Sequence, residues 1–122
     1  MPTIMIAEDD DANRDLLSEM VRGWGYTVIE AQNGADALEK LVESSPDLVV
    51  CDIKMPVLDG VGFVRALRRD TRLASLPVIA LTGFGTQDHD AIVSAGFTTY
   101  LSKPVSSELL RRNLERLLNR RR

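Results

Sequence analysis

Five short runs of apolar and β-branched residues recur along the chain, and each is short enough for a β-strand. The runs are 3–7, 27–31, 48–51, 78–81 and 98–101. Between and after them, apolar side chains recur at helical spacing, as at Leu110, Leu114 and Leu117. Strand and helix patterns alternate five times, which is typical of βαβ units. We therefore predict an α/β fold in which a doubly wound parallel sheet carries helices on both faces.

Polar residues typical of helix starts precede several of the helical segments. The candidates are Asn33, Asp59, Thr86 and Ser106. Asp10 or Asp11 is a further candidate, for the cap of the first helix. Glycines also fall where segments are expected to end, at Gly23, Gly34 and Gly96. These signals agree with the predicted alternation of strands and helices.

Length and composition fit one globular domain, so we expect a single unit over residues 1–122. The longest uncharged stretch, 73–87, contains Pro77 and two glycines, so we expect no membrane span. No basic segment precedes the first apolar run, which argues against a signal peptide and favours a cytoplasmic location. Cys51 is the only cysteine and has apolar neighbours, so we expect it in the core.

Charge is distributed unevenly around the net value of −3. Residues 1–60 hold 13 acidic and 4 basic residues, whereas residues 61–122 hold 5 acidic and 11 basic residues. The densest acidic group is 8–11, and such a run repels itself unless a positive charge lies nearby. The three arginines at 120–122 follow a helical pattern and suit a helix C-terminus. We therefore expect no direct contact with nucleic acid.

Reactive side chains follow the predicted strands at the point where each strand ends. Glu8 and Asp9 follow the first strand, Asp52 the third, Thr82 the fourth and Lys103 the fifth. The carboxyl ends of parallel strands meet at one edge of the sheet, where ligands bind in this architecture. If the first and third strands are neighbours, they lie ~4.8 Å apart. The three acids would then share one crevice with a hydroxyl and an ammonium group.

Such an acidic cluster calls for a counter-ion, because like charges at this distance raise each other's pKa. Mg²⁺ (or Mn²⁺) suits it, since a hard divalent cation takes carboxylate oxygens, waters and a phosphate as ligands. The set then indicates a phosphoryl site. Asp52 would be the nucleophile, Lys103 and the metal would neutralise developing charge, and Thr82 would bond a phosphoryl oxygen.

Four motifs occur in order at the predicted strand ends. They are "AEDD" followed by Arg14, then "CDIKMPVLDG", "ALTG" and "YLSKP". With these motifs the chain resembles a receiver domain of the two-component response regulators over essentially its whole length. The resemblance implies a flavodoxin-like fold with five parallel strands in the order 2-1-3-4-5 and five helices. It also implies a regulatory phosphoacceptor rather than an enzyme.

The resemblance assigns roles to individual residues. Asp52 matches the phosphoacceptor, Asp9 the direct metal ligand and Glu8 its acidic partner. The backbone carbonyl of Lys54 matches the main-chain metal ligand. Lys103 matches the phosphate-sensing lysine, and the bond to the proline after it is often cis in this family.

The resemblance also implies a switch and partners. Thr82 and Tyr100 match the pair in which the hydroxyl moves toward the phosphoryl group and the ring turns inward. The fourth helix, fifth strand and fifth helix would form the readout face. The phosphodonor would be a histidine kinase or a histidine phosphotransfer protein, and the sequence does not identify the downstream target. A monomer, or a weak homodimer through the readout face, is expected.

Two residues near the acceptor are expected to influence the lifetime of the phosphate. Lys54 lies two positions after Asp52, and Phe84 two positions after Thr82. Phe84 would screen the acyl phosphate from water, whereas Lys54 would orient or repel reactants. We expect a lifetime different from that of receivers with small polar residues at these positions.

Other interpretations stay open at this point. A receiver belonging to a hybrid histidine kinase or a longer regulator would carry the same motifs, and we expect no output domain within residues 1–122. A phosphohydrolase with an aspartate nucleophile usually has a second acid two residues on, where this chain has Lys54. An FMN-binding protein should not place four acids in its first loop. A receiver that serves only for docking would not need the intact acid, hydroxyl and lysine set.

Overall fold

The computed structural model describes residues 2–83 and 89–121. The strands are β1 (Thr3–Ala7), β2 (Thr27–Ala31), β3 (Leu48–Asp52), β4 (Val78–Thr82) and β5 (Thr99–Ser102). The helices within these ranges are α1 (Asp11–Gly23), α2 (Gly34–Ser44), α3 (Gly60–Arg68), α4 (His89–Ala95) and α5 (Ser107–Arg121). A short 3₁₀ helix, Thr71–Leu73, follows α3. The predicted alternation is confirmed, and each predicted strand agrees with the structure to within one residue.

All five strands join one parallel sheet in the order β2-β1-β3-β4-β5. This confirms the flavodoxin-like α/β fold and the predicted strand order. β3 lies at the centre, and every one of its residues is buried. Asp52 pairs in register with Leu81, so the acid belongs to the strand itself rather than to the loop after it. The sheet therefore places this carboxylate at its carboxyl edge.

Apolar side chains cover both faces of the sheet, as doubly wound sheets require. On one face, Met5 and Val49 pack with Phe63 and the rest of a cluster formed with α2, α3 and α4. On the other face, Val50 and Ile79 pack in a cluster with α1 and α5. Cys51 lies in the first cluster as predicted, and burial raises the pKa of its thiol. No helix within the described ranges is long and apolar enough to cross a membrane.

The helix caps follow the predicted polar residues. Asp10 rather than Asp11 caps α1, since its Oδ1 accepts from the amides of Ala12 at 2.9 Å and Asn13 at 3.2 Å. Asn33 caps α2, and Asp59 caps α3. The amide of Leu109 donates to the hydroxyl of Ser106 at 3.3 Å, which supports Ser106 at the start of α5. The predicted cap at Thr86 lies outside the described residues.

The loop between β3 and α3 folds back on the strand that it follows. The amide of Gly60 donates to the carbonyl of Ile53 at 2.8 Å. A Cβ at Gly60 would lie 2.5 Å from the carbonyl oxygen of Asp52, so no other residue fits without displacing the strand end. The prediction placed Gly34 at the end of a segment, but in the structure Gly34 is the first residue of α2. Its amide donates to the carbonyl of Leu58 at 2.9 Å. Both close contacts fix the main chain around Asp52.

Candidate functional site

Three carboxylates meet at the carboxyl edge of the sheet. Glu8 and Asp9 follow β1, and Asp52 ends the neighbouring β3. One oxygen from each lies within 4.8 Å of the others. Glu8 is only 1% exposed and Asp52 4%, whereas Asp9 is exposed. The structure thus brings the predicted acids into one cluster that opens to solvent on the side of Asp9.

Lys103 supplies positive charge to this cluster. Its Nζ lies 2.8 Å from Oδ2 of Asp52 and 3.7 Å from Oε2 of Glu8. Burial lowers the pKa of Lys103, but the hydrogen bond to Asp52 and the neighbouring acids outweigh burial and raise it overall. The amide of Lys103 donates to the carbonyl of Thr82 at 2.9 Å, and the bond to Pro104 is cis. The ammonium group is therefore a fixed cation beside Asp52.

The single positive charge of Lys103 does not compensate the negative charges of both buried acids, Glu8 and Asp52. Burial, followed by the charge of Asp52, raises the pKa of Glu8 to about 7, although Lys103 and the amide of Asp10 act in the opposite direction. Oε2 of Glu8 is buried and has no hydrogen-bond partner within the described part of the chain. A second cation at the cluster would compensate this oxygen. Hard carboxylate oxygens are the ligands that Mg²⁺ prefers, so the residues present fit a magnesium ion.

Lys54 lies beside the same acids. It lines an open cleft of about 520 Å³ together with Asp9, Met55, Pro56 and others. The side chain of Lys54 is exposed. The predicted metal ligation by its backbone carbonyl stays a prediction.

The predicted switch pair lies on the two strands that follow β3 in the sheet, β4 and β5. Thr82 ends β4, is 3% exposed, and donates its hydroxyl to the carbonyl of Leu101 over a long distance of 3.5 Å. Tyr100 lies on the adjacent strand, is half-buried, and packs against the core cluster of α2 to α4. The switch role of Thr82 and Tyr100 stays a prediction. Phe84 lies outside the described residues, so its predicted role stays a prediction.

Two features of the site were not predicted from the sequence. A mostly apolar cavity of about 480 Å³ lies beside Glu8 and Lys103, and Leu16 on its wall is 59% exposed. Behind the acids, Nη1 of Arg14 donates to the backbone carbonyl of Glu8 at 2.9 Å. Leu16 is one of the apolar residues at helical spacing in α1, a pattern that does not reveal a cavity, and the sequence carries no signal for a bond from a side chain to the main chain.

Comparison with known proteins identifies the family. The sequence profile of the response regulator receiver domain matches residues 4–115. The chain belongs to this receiver family. The polar-differentiation response regulator DivK of Brucella anthropi is 36% identical over 105 residues, which cover 85% of each receiver.

Solved receiver structures share the fold. The signal receiver domain of a signal transduction histidine kinase from Syntrophus aciditrophicus has a TM-score of 0.91 and 29% identity, covering 98% of this chain and 91% of that one. The receiver domain of a sensor histidine kinase from Pseudomonas aeruginosa has a TM-score of 0.89 and 31% identity, covering 97% of this chain and 98% of its own. The Pseudomonas structure has a magnesium ion coordinated in its active-site cleft.

Membership places this chain in two-component signalling. Receivers are regulatory phosphoacceptors that bind Mg²⁺ at an acidic pocket. The cluster of Glu8, Asp9 and Asp52 is an acidic pocket of this kind. The chain therefore has the receiver fold and an acidic cluster at the carboxyl edge of its sheet.

Proposed function

We propose that this receiver takes a phosphoryl group from a phosphohistidine of a histidine kinase or histidine phosphotransfer protein onto Asp52. The observation that carries the proposal is the setting of this one carboxylate. Asp52 is 4% exposed, lies 2.8 Å from an ammonium group, and shares a cluster with two further acids. A buried carboxylate with a fixed cation and a cation-binding edge suits a nucleophile in phosphoryl transfer.

In the phosphoryl transfer, the bond that forms at Asp52 is matched by a bond that breaks in the donor. An oxygen of Asp52 attacks phosphorus and forms an O–P bond, while the P–N bond to the donor imidazole breaks and its electron pair returns to the ring nitrogen. Lys103 moves its hydrogen bond from Asp52 to a phosphoryl oxygen, where negative charge is greatest. The hydroxyl of Thr82 has only a long bond to give up, so it can donate to a second phosphoryl oxygen. The chain is thus a regulatory phosphoacceptor.

Glu8, Asp9 and Asp52 would hold Mg²⁺ (or Mn²⁺), with the backbone carbonyl of Lys54 as a further ligand. When bound, the ion would neutralise charge on the phosphoryl group during transfer. Without the ion, the carboxylate of Asp52 lies close to a second buried carboxylate, that of Glu8. The residues of the chain therefore make the acceptor dependent on a divalent cation.

The phosphorylated state differs electrostatically from the free one. A phosphoryl group adds ~1.5 to 2 negative charges and several acceptor oxygens. These draw in Thr82, and Tyr100 turns into the space that the hydroxyl leaves. Two packings that differ by a few kcal/mol are enough for a population shift, and the face of α4, β5 and α5 then changes shape for partner binding. Lys54 and Phe84 would set how long the phosphate lasts.

A second setting for the same function is a receiver within a longer protein. Two solved structures that resemble this chain are receivers of histidine kinases, at 29% and 31% identity. In that setting the phosphodonor would belong to the same polypeptide. A monomer or a weak homodimer through α4, β5 and α5 suits a free receiver. The chemistry at Asp52 is the same in both settings.

The test is uptake of a phosphoryl group followed by intact mass. The chain is incubated with Mg²⁺ and either an acyl phosphate or a phosphoramidate, alongside Asp52→Asn and a sample with chelator. We expect a gain of one phosphoryl group in the wild type only, and only with the cation. No gain with either donor would refute the proposal, and an equal gain in Asp52→Asn would place the acceptor elsewhere.

A further inference from the structure

Arg14 is a largely buried guanidinium behind the acidic cluster. Its side chain is 16% exposed and extends from the first turns of α1. Nη1 donates to the backbone carbonyl of Glu8 at 2.9 Å. This carbonyl lies just beyond the paired strands, because β1 ends at Ala7 and β2 at Ala31. Arg14 therefore supplies a donor to the main chain where the ladder stops.

The same residue closes the turn that carries two of the acids. The backbone amide of Arg14 donates to the carbonyl of Asp10 at 2.9 Å. On the other side, the amide of Asp10 donates to Oε1 of Glu8 at 3.3 Å, and the amide of Glu8 donates to the carbonyl of Ala31 at 3.0 Å. Arg14 thus holds both ends of the turn 8–10, with its guanidinium at one end and its amide at the other. The direction of the Glu8 and Asp9 side chains depends on this turn.

Other groups hold the guanidinium in place from its far side. Nη2 of Arg14 lies 2.5 Å from Asp11, and Nε lies 3.8 Å from Glu30. Glu30 in turn accepts from the hydroxyl of the buried Ser18 at 3.0 Å and lies 3.6 Å from Arg22. An arginine fork can make these contacts and the bond to Glu8 simultaneously. A lysine has only a point charge to offer.

We propose that Arg14 is a positioning residue that sets the Mg²⁺ affinity of the receiver by fixing the main chain at Glu8. The described hydrogen bonds and ion pairs of its side chain go to that carbonyl and to acids outside the cluster, so it acts through the direction of Glu8 and Asp9. The inference rests on the proposed function, since it concerns the cation that those acids would hold. Loss of a partner that orients a metal ligand typically lowers metal affinity ~10- to 100-fold.

If Arg14 is removed, its positioning role and its positive charge predict changes of opposite sign in the Kd for Mg²⁺. Arg14 is a cation near an acidic cluster, so removal of its charge alone would strengthen the binding of Mg²⁺. Loss of a well-aligned turn would weaken the binding. The sign of the change in Kd therefore separates the two explanations.

The experiment titrates the full, metal-free chain with Mg²⁺ and follows the ¹⁵N–¹H resonances by NMR. Arg14→Ala is compared with Arg22→Ala, which removes another α1 arginine that pairs with Glu30. We expect Kd to rise ~10-fold in Arg14→Ala and to stay unchanged in Arg22→Ala. The Asp9 amide resonance, which follows the Glu8 carbonyl in the chain, should move in metal-free Arg14→Ala only.

Arg14→Lys tests the same idea where the alanine variant does not fold. Lysine keeps the charge without the fork, so we expect a rise in Kd at least as large as in Arg14→Ala, with the same displacement of the Asp9 resonance. An unchanged or lower Kd in the folded Arg14 variants, or an equal rise in Arg22→Ala, would overturn the inference. If the wild type takes up phosphoryl groups while Arg14→Ala binds Mg²⁺ normally, only this inference fails. If the wild type binds no Mg²⁺, the proposed function fails with it.

Discussion

Glu8 is the most perturbed acid of the cluster, and it gives a prediction about stability. The carboxylate is 1% exposed and close to Asp52. In the Glu8→Gln variant, an amide of nearly the same shape replaces it without charge. We expect this variant to be more stable than the wild type in the absence of metal at pH 8, and equally stable near pH 4.

The size of the effect follows from the pKa. The pKa of Glu8 is raised from 4.5 to about 7 in the folded chain, so the stability that protonation contributes is fully present below about 4.5 and is lost as the pH rises through 7. At ~1.4 kcal/mol per pH unit, this rise corresponds to about 3 kcal/mol of unfolding free energy. At pH 8 the wild type should therefore have lost nearly all of the stability that protonation of Glu8 contributes. The glutamine variant should not show it.

The assay is urea unfolding of both proteins in chelator at several values between pH 4 and pH 8. Glu39→Gln is the matched control, because it removes an exposed acid from α2 and surface charges contribute little. Saturating Mg²⁺ at pH 8 should stabilise the wild type more than Glu8→Gln. Parallel stability curves for the wild type and Glu8→Gln would contradict this prediction, because the pKa of Glu8 would then be the same in the folded and the unfolded chain.

Two further predictions concern the main chain around the acceptor. Asp59 caps α3 by accepting from the amide of Gly62 at 2.8 Å. Urea unfolding of Asp59→Ala should therefore show a loss of about 1 kcal/mol of stability, and the variant should still accept a phosphoryl group. Loss of Mg²⁺ binding at unchanged stability would instead make Asp59 a residue of the metal site. Gly60→Ala places a Cβ 2.5 Å from the Asp52 carbonyl and should cost about 1–3 kcal/mol. Gly23→Ala, where a Cβ meets nothing within 4 Å, serves as the control, and equal stabilities of the two alanine variants would contradict the packing argument.

Much of the fold and the cluster could be predicted because the determining signals are local. Buried parallel strands are continuous apolar runs, and an acid at the end of such a run can lie only at the carboxyl edge. Glu8, Asp9 and Asp52 came together for this reason once β1 and β3 were neighbours. Lys103 and Thr82 follow from the same rule.

Other features depend on contacts that no local pattern encodes. Position 34 needs a glycine because a Cβ there would collide with the carbonyl oxygen of Leu58, a residue of a distant loop. Val57 has a φ of 68°, which is unusual for a β-branched residue. The cause is a sharp turn in the loop after β3, in which the amide of Leu58 donates to the carbonyl of Pro56 at 2.7 Å. The bond from Arg14 to Glu8 likewise exists only once α1 has packed against the sheet.

The proposal that Asp52 carries the phosphoryl group is tested most directly by locating the modified residue. The chain is phosphorylated with Mg²⁺ and a small phosphodonor, then treated with borohydride, which reduces an aspartyl phosphate to homoserine. Peptide mass spectrometry then reads the position of the change. We predict homoserine at position 52 and at no other acid. Homoserine at position 9, or phosphate found on a serine, threonine or histidine with Asp52 intact, would contradict it.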